Sequence, residues 1–320
     1  MTTQLEAPEE NKKLPDQKKK KLVMSDRGKQ EAKLGWWLAG PAVVVLLAVT
    51  AYPILQAAYQ SLFNYRLTDP DNRFFNWGQN YVVILSDPQW WTTLGVTVML
   101  TVFTVAVELV LGFALALVML NAVRAVKPWI RTVILVPYGI ITVVSAFSWS
   151  YAFDLGTGFV NNWLAVFGLD PNYDWFGGFW SSFFVISAAE IWKTTPFISL
   201  LLLAGLAQIP GEMVEAAKVD GATWWERMRK VIIPNMKAAI MVALLFRTLD
   251  AFRIFDSVFV MTAGAQNTAT VSFLAYNQSI AQLQVGMGSA VSIMLFICVA
   301  IICFIFIKLF KVDLSQARGE

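Results

Sequence analysis

The feature that most limits what this chain can fold into is a set of six apolar runs, at 36–63, 92–120, 130–153, 181–207, 238–261 and 287–310. Each is long enough to cross a hydrocarbon core that needs about 20 helical residues. A backbone in lipid has no water to bond, so it must satisfy its own N–H and C=O groups within helices. Charged residues make up 15% of the 320, against roughly a quarter in a soluble domain, and the shortfall sits in these runs. The predicted fold class is therefore an all-α integral membrane protein with six transmembrane helices. Of 25 Lys and Arg, only Arg66 and Arg73 fall in segments this reading places outside. That bias puts both termini in the cytoplasm. Trp36, Trp37, Trp90, Trp91, Trp129 and Trp180 fall where spans should meet the headgroups, and read as interface anchors.

Residues 1–33 are polar, with an unbroken Lys18–Lys21 run and no apolar periodicity. They read as a disordered basic cytoplasmic tail, ahead of a transmembrane domain over 34–320. Attraction of these lysines to an anionic membrane surface is the functional alternative. The next apolar run is too long for a secretory signal and lacks a small-residue cleavage site. The segment 154–180, with three aspartates and no basic residue, could form a short lid or a docking surface.

Catalytic equipment is missing. There is no histidine, hence no usual general base, metal ligand or partner for a Ser or Cys nucleophile. Cys298 and Cys303 lie in the last apolar run and read as packing residues. No G-x-x-x-x-G-K-[ST] cradle for a nucleotide occurs. No metal site, bound cofactor or nucleic-acid partner is expected.

The loop 208–237 is the most patterned polar segment. Pro210 can open a helix, because its missing N–H would be unpaired there. A short helix over 212–219 follows, and Asp220-Gly221 ends it in a position suited to left-handed backbone. Thr223 and Glu226 have the spacing of a capping box, starting a second helix over 224–231, and Pro234 marks the return toward the membrane. Val214, Ala216, Ala217, Trp224 and Trp225 would then present apolar surface that needs a cover, either the chain's own helices or a partner.

Glu215-Ala216-Ala217, then Gly221, Val231, Ile233 and Pro234, resembles the EAA–G–I-x-L-P signature of ATP-binding-cassette importer permeases. Spacing agrees throughout, with Val and Ile where Ile and Leu are usual. Downstream, Arg247-Thr-Leu-Asp250-Ala-Phe-Arg253-Ile-Phe-Asp256 and Thr262-Ala-Gly264 are similar to the carbohydrate branch, of which a maltose permease is the best-known kind. Ala265 and Gln266 depart from its usual Thr-x-Gly-Gly-Pro. The resemblance covers residues 34–320 and implies a type I importer permease fold in the bacterial cytoplasmic membrane. It implies a coupling element of Val214, Glu215, Ala216, Ala217, Asp220 and Gly221, seated in a cleft of a separate ATPase dimer that binds ATP and Mg. It further implies a second homologous permease subunit, an extracytoplasmic sugar-binding protein, and a disaccharide substrate, with trehalose favoured.

Ionisable side chains at mid-bilayer cost about 2.5–3.5 kcal/mol each on insertion scales. Glu190 and Lys193 lie three apart on one helical face, and Arg247, Asp250, Arg253 and Asp256 form an i, i+3 ladder of alternating sign. All six must face the bundle interior, paired or lining a wet path. The family resemblance places a sugar site on these two runs, at or beside Glu190, Lys193, Thr194, Phe197, Arg247, Asp250 and Ile254, with Phe197 or Phe255 as the flat apolar surface. The same ladder could serve only to brace helices or to pair with a second subunit. Glu108 reads as an interhelical hydrogen-bonding residue, and Pro196 as a kink. Balanced charge fits a neutral substrate. An ion-coupled secondary carrier is the alternative function; it predicts inverted repeats and gives loop 208–237 no role. A membrane-embedded enzyme is a further alternative, which the missing catalytic residues disfavour.

Overall fold

A computed structural model of the protein describes residues 26–310 apart from Arg124 and Leu169. The chain divides into two units, 1–54 and 55–320. The first helix, α1 (Asp26–Gln60), carries Pro41 and Pro53 and fills the described part of the first unit. The tail reading for residues 1–25 lies outside the described residues.

In the second unit, a β-hairpin follows α1. Strands β1 (Phe63–Arg66) and β2 (Asp69–Phe75) are antiparallel, with Phe63 opposite Phe75. A lone hairpin is marginal in water. Here the Arg73 guanidinium lies over the rings of Phe63 and Tyr65, at 4.5 and 5.0 Å, and the Leu67 N–H donates to the Leu283 carbonyl at 2.9 Å. The helices after it are α2 (Gln79–Ser86), α3 (Pro88–Asn121), α4 (Lys127–Leu135), α5 (Thr142–Ala152), α6 (Val160–Ala165) and α7 (Phe179–Leu206). Next come α8 (Gly211–Val219), α9 (Trp224–Arg227), α10 (Ile233–Asn235) and α11 (Lys237–Ala251). The last are α12 (Asp256–Met261), α13 (Val271–Tyr276) and α14 (Val285–Phe310).

Among the described residues, four helical stretches are long and apolar enough to cross a membrane: Lys33–Gln60, Pro88–Asn121, Phe179–Leu206 and Val285–Lys308. A fifth crossing arises if α4 and α5 form one span, and these two helices are bent by 87°. The run 130–153 is thus not one straight helix. Pro137 and Gly139, with a 3₁₀ turn between α4 and α5, supply the break. The run 238–261 is also interrupted. Helix α11 stops at Ala251 and α12 starts at Asp256, so the charged ladder spans a break and only Arg247 and Asp250 share a helix. Pro196, by contrast, sits inside a continuous α7.

Helices α3 and α7 pack closely, as small residues allow between apolar helices. A Cβ added to Gly112 would lie 2.7 Å from Ile198 Cγ2. One face of α3 carries Thr93, Thr97, Thr101, Thr104 and Glu108, all buried. Their hydroxyls bond back to carbonyls one turn earlier, as with Thr97 Oγ1 to Thr93 O at 2.7 Å and Thr101 Oγ1 to Thr97 O at 2.7 Å. Trp90, expected as an interface anchor, is only 2% exposed and packs with Ile84, Val271, Leu274 and Val291. The reason is that α3 begins at Pro88, with the Asp87 carboxylate accepting from Gln89 N at 2.8 Å. Trp90 therefore falls in the first helical turn, facing the bundle. Trp91, Trp129 and Trp180 are exposed.

Candidate functional site

The break in the fifth apolar run opens into a polar cavity of about 420 Å³. Glu190, Lys193 and Thr194 reach it from α7, Arg247 and Asp250 from α11, and Arg253, Ile254 and Phe255 from the break itself. Six of the seven residues expected on a substrate path line this one space. The exception is Phe197, whose ring stacks on Tyr138 at 5.4 Å and 15°. Tyr138 and Phe255 are the aromatic residues on the wall, so Phe197 backs a wall ring and is not itself a wall residue.

The charges are organised around Arg247, 1% exposed. Its Nε and a terminal nitrogen donate to the Glu108 carboxylate at 2.5 and 2.9 Å. The other terminal nitrogen donates to Asp250 Oδ2 at 2.6 Å, and Glu190 lies 3.5 Å away. Glu108 also accepts the Thr194 hydroxyl at 2.7 Å, and Glu190 accepts the Ser257 hydroxyl of α12. A buried guanidinium needs such complete pairing, because an uncompensated buried ion is costly. Glu108 is therefore the interhelical hydrogen-bonding residue the sequence predicts, and it is also the anchor of the whole cluster. Its place at the end of the threonine stripe on α3 was the signal for that larger role. Glu190 and Lys193 do not pair with each other; Lys193 Nζ sits 5.7 Å from the centre of the Tyr138 ring.

With Arg247 locked, the most available acceptor is Asp250, whose side chain is 72% exposed despite its bond to Arg247. Lys193 and Arg253 make no ion pair among the described residues, leaving their donors to the cavity. The lining thus offers fixed acceptors, fixed donors and two aromatic faces. That set can hold a polyhydroxylated ring and lacks a nucleophile–base pair. Among the described residues no group of three carboxylate or thiol side chains could hold a metal ion.

The loop 208–237 forms a second assembly. Helix α8 ends in a Schellman turn: Gly221 N donates to Lys218 O, and Ala222 N to Ala217 O, both at 3.0 Å, with Gly221 at φ +77°. Thr223 and Glu226 close a reciprocal capping box. Three contacts hold the Glu226 carboxyl down to about 2: the Thr223 backbone N–H first, then Lys230 and the Thr223 hydroxyl. In the segment 154–180, the backbone N–H of Thr157, its hydroxyl and the Gly156 N–H likewise keep Asp154 below the usual carboxylate range. The second helix of the loop departs from the expected 224–231: α9 passes through a wide π turn at Met228–Ile232 into α10, so the chain stays helical past Pro234. Glu215, Ala216, Asp220 and Gly221 are exposed, while Val214 and Ala217 are half-buried. Val214 turns inward with Trp224 and Met228 onto a cavity of about 440 Å³ under the ends of α3 and α7.

Residues 108–312 match the family described as "Binding-protein-dependent transport system inner membrane component". The chain is 49% identical over 280 residues to the trehalose transport system permease protein SugA of Mycobacterium tuberculosis, covering 88% of this chain and 89% of that protein. It is 35% identical to the trehalose/maltose transport system permease protein MalF of Thermococcus litoralis, covering 87% and 94%. In fold it is similar to a chain of a bacterial ABC transporter that imports the acidic polysaccharide alginate. That likeness has a TM-score of 0.76 at 19% identity, over 90% of this chain and 99% of that one.

Proposed function

Because the chain belongs to the binding-protein-dependent transport system inner membrane component family, whose members are translocation subunits and not enzymes, we propose that it carries a disaccharide, trehalose foremost, across the bacterial cytoplasmic membrane. The observation that carries this reading is the polar cavity at the break between α11 and α12, with Asp250, Lys193 and Arg253 open to it. The trehalose permeases among its relatives support the substrate, and the pairing of charges around Arg247 suits a neutral ligand. In this reading the chain crosses the membrane six times, with α4–α5 and α11–α12 as bent or broken crossings of the kind that line transporter cavities. Both termini lie in the cytoplasm.

Energy enters from outside the chain. A separate ATPase dimer binds ATP and Mg and grips α8, with Glu215 contacting a basic residue there, Ala216 allowing close approach and Gly221 making the turn. Exposure of Glu215, Ala216 and Gly221 supports that assignment. Helix α8, with Val214 and Ala217 half-buried, packs on the second helix of the loop, at α9 and the π turn, so a push on α8 reaches α11 through that helix and α7 along the chain. A second homologous permease and an extracytoplasmic sugar-binding protein complete the complex. An ion-coupled carrier is not favoured, since it leaves α8 and its turn without work.

The test is to purify the tagged chain, ask whether an ATPase subunit accompanies it, and measure trehalose uptake in proteoliposomes. Uptake should need ATP hydrolysis, and Glu215→Ala should weaken both ATPase association and transport. Uptake that persists with hydrolysis blocked, or an unaffected Glu215→Ala complex, refutes the reading.

A further inference from the structure

The segment after α12 returns to the cavity from behind. Thr270, 1% exposed, donates its hydroxyl to the Ile254 carbonyl at 2.8 Å. The same oxygen accepts the Phe273 N–H at 3.3 Å and so caps α13. The next N–H, of Val271, donates to Thr97 Oγ1 on α3 at 3.0 Å, and Thr97 is itself only 1% exposed. Thr97 belongs to the helix whose Glu108 holds Arg247. Arg247 before the interruption and Ile254 within it are therefore both tied to α3, the first directly through Glu108 and the second through Thr270 and Val271.

Aromatic rings complete the support. Phe255 lines the cavity, and behind it stand Phe259 at 5.3 Å and Tyr276 at 5.1 Å. The turn that carries Thr270 into place is wound through left-handed backbone at Ala263, Gly264, Gln266 and Asn267. Non-glycine residues hold that region only where the surroundings impose it. The Thr262 and Thr268 hydroxyls, 2.7 Å apart, close the turn on itself.

We propose that Thr270, tied to α3 through the Val271 N–H on Thr97, is a positioning residue for the transported sugar: it fixes the Ile254–Phe255 wall of the cavity that Asp250 also lines and so sets how well the cavity fits its ligand. This rests on the cavity being the sugar path. A merely structural Thr270 would lower the amount of transporter without changing its apparent affinity.

The assembled transporter in proteoliposomes, with labelled trehalose, separates these. Thr270→Val removes both hydrogen bonds and should raise the KM for trehalose about fivefold, the weight of roughly one lost hydrogen bond, at near-normal maximal rate per complex. Thr270→Ser keeps both bonds and should restore the wild-type KM. An unchanged KM in Thr270→Val, or a serine variant as impaired as the valine variant, overturns the proposal.

A second arm needs no sugar. In a chain with Cys298→Ala and Cys303→Ala, Arg253→Cys places a thiol on the wall, and its labelling rate by a small hydrophilic methanethiosulfonate reports the wall's position. Thr270→Val and Thr97→Val should shift that rate in the same direction, and no shift in either overturns the strut. If the wild-type transporter takes up no trehalose, the substrate reading fails while the labelling arm still judges Thr270.

Discussion

The buried cluster around Arg247 allows a quantitative test by a double-mutant cycle. In Arg247→Met the Glu108 carboxylate, 0% exposed, loses both guanidinium bonds and keeps only the Thr194 hydroxyl. Stranding a buried ion in this way costs about 3–5 kcal/mol. Glu108→Leu is milder, because Arg247 retains Asp250 at 2.6 Å and Glu190 at 3.5 Å; its cost should be about 2 kcal/mol, near that of one charge-assisted hydrogen bond. The double variant Glu108→Leu/Arg247→Met removes the stranded carboxylate along with its cation. Thr194 still has the Glu190 carbonyl at 2.6 Å, and the remaining deficit is Glu190, which keeps Ser257. The double variant should therefore be more stable than Arg247→Met alone, with a coupling energy of about 2 kcal/mol or more. Denaturant or thermal unfolding of the purified transporter in one detergent supplies the four stabilities. Costs that add within about 0.5 kcal/mol, or an Arg247→Met variant no less stable than Glu108→Leu, would refute the placement of Glu108 as the anchor.

Asp250→Ala should abolish trehalose uptake while the complex still assembles, since the Asp250 side chain is mostly exposed to the cavity; unchanged uptake kinetics would remove it from the path, and lost assembly would make it structural. Gly112→Val should cut the yield of folded protein by overpacking the α3–α7 contact, at about 1–3 kcal/mol, and Ile198→Ala should partly rescue it; an undiminished yield would mean that the helices do not approach so closely. The Glu226 carboxyl is held down to about 2 from its ordinary 4.5, so its cap is fully present above pH 4.5 and is lost as pH falls toward 2. Amide exchange in α9, corrected for intrinsic rates, should be flat from pH 8 to 5 in the wild type and faster throughout in Thr223→Ala; loss of protection near pH 6 would contradict this.

The polar loop was legible almost residue by residue because its structure is local. Gly221, Thr223 and Glu226 act through backbone neighbours within a few positions, so spacing alone predicts the left-handed stop at Gly221 and the capping box. The cavity residues were legible because ionisable groups are rare in apolar runs and must converge. The interruptions were less accessible. Pro137 and Gly139 mark the bend between α4 and α5, a signal that hydropathy averaging hides. The break at 252–255 has no proline or glycine; it depends on Thr270 and Glu190 arriving from elsewhere to hold Ile254 and Ser257. The hairpin at 63–75 likewise depends on Arg73 and on Leu283, two hundred residues downstream. Trp90 was misplaced because hydropathy starts α3 at 92, while Asp87-Pro88 starts it a turn earlier.

The stripe Thr93–Thr97–Thr101–Thr104–Glu108 joins these parts. Threonines that bond to their own helix carry polar atoms through an apolar core at little cost. One of them, Thr97, keeps an acceptor position for Val271, and the stripe ends in the carboxylate that fixes Arg247. Helix α3 thus holds Arg247 directly at Glu108, reaches Ile254 from Thr97 through Val271 and Thr270, and packs on α7 one turn beyond Glu108, at Gly112. On the proposed coupling, movement of α8 would reach the cavity either by shifting α7 and α11 against a fixed α3 or by carrying all three together. The first changes the bonds made to α3, Arg247–Glu108 and Val271–Thr97, and with them the cavity proposed to hold the sugar; the second leaves them intact. Cysteine pairs across α3 and α11, cross-linked in the presence and absence of ATP, distinguish the two.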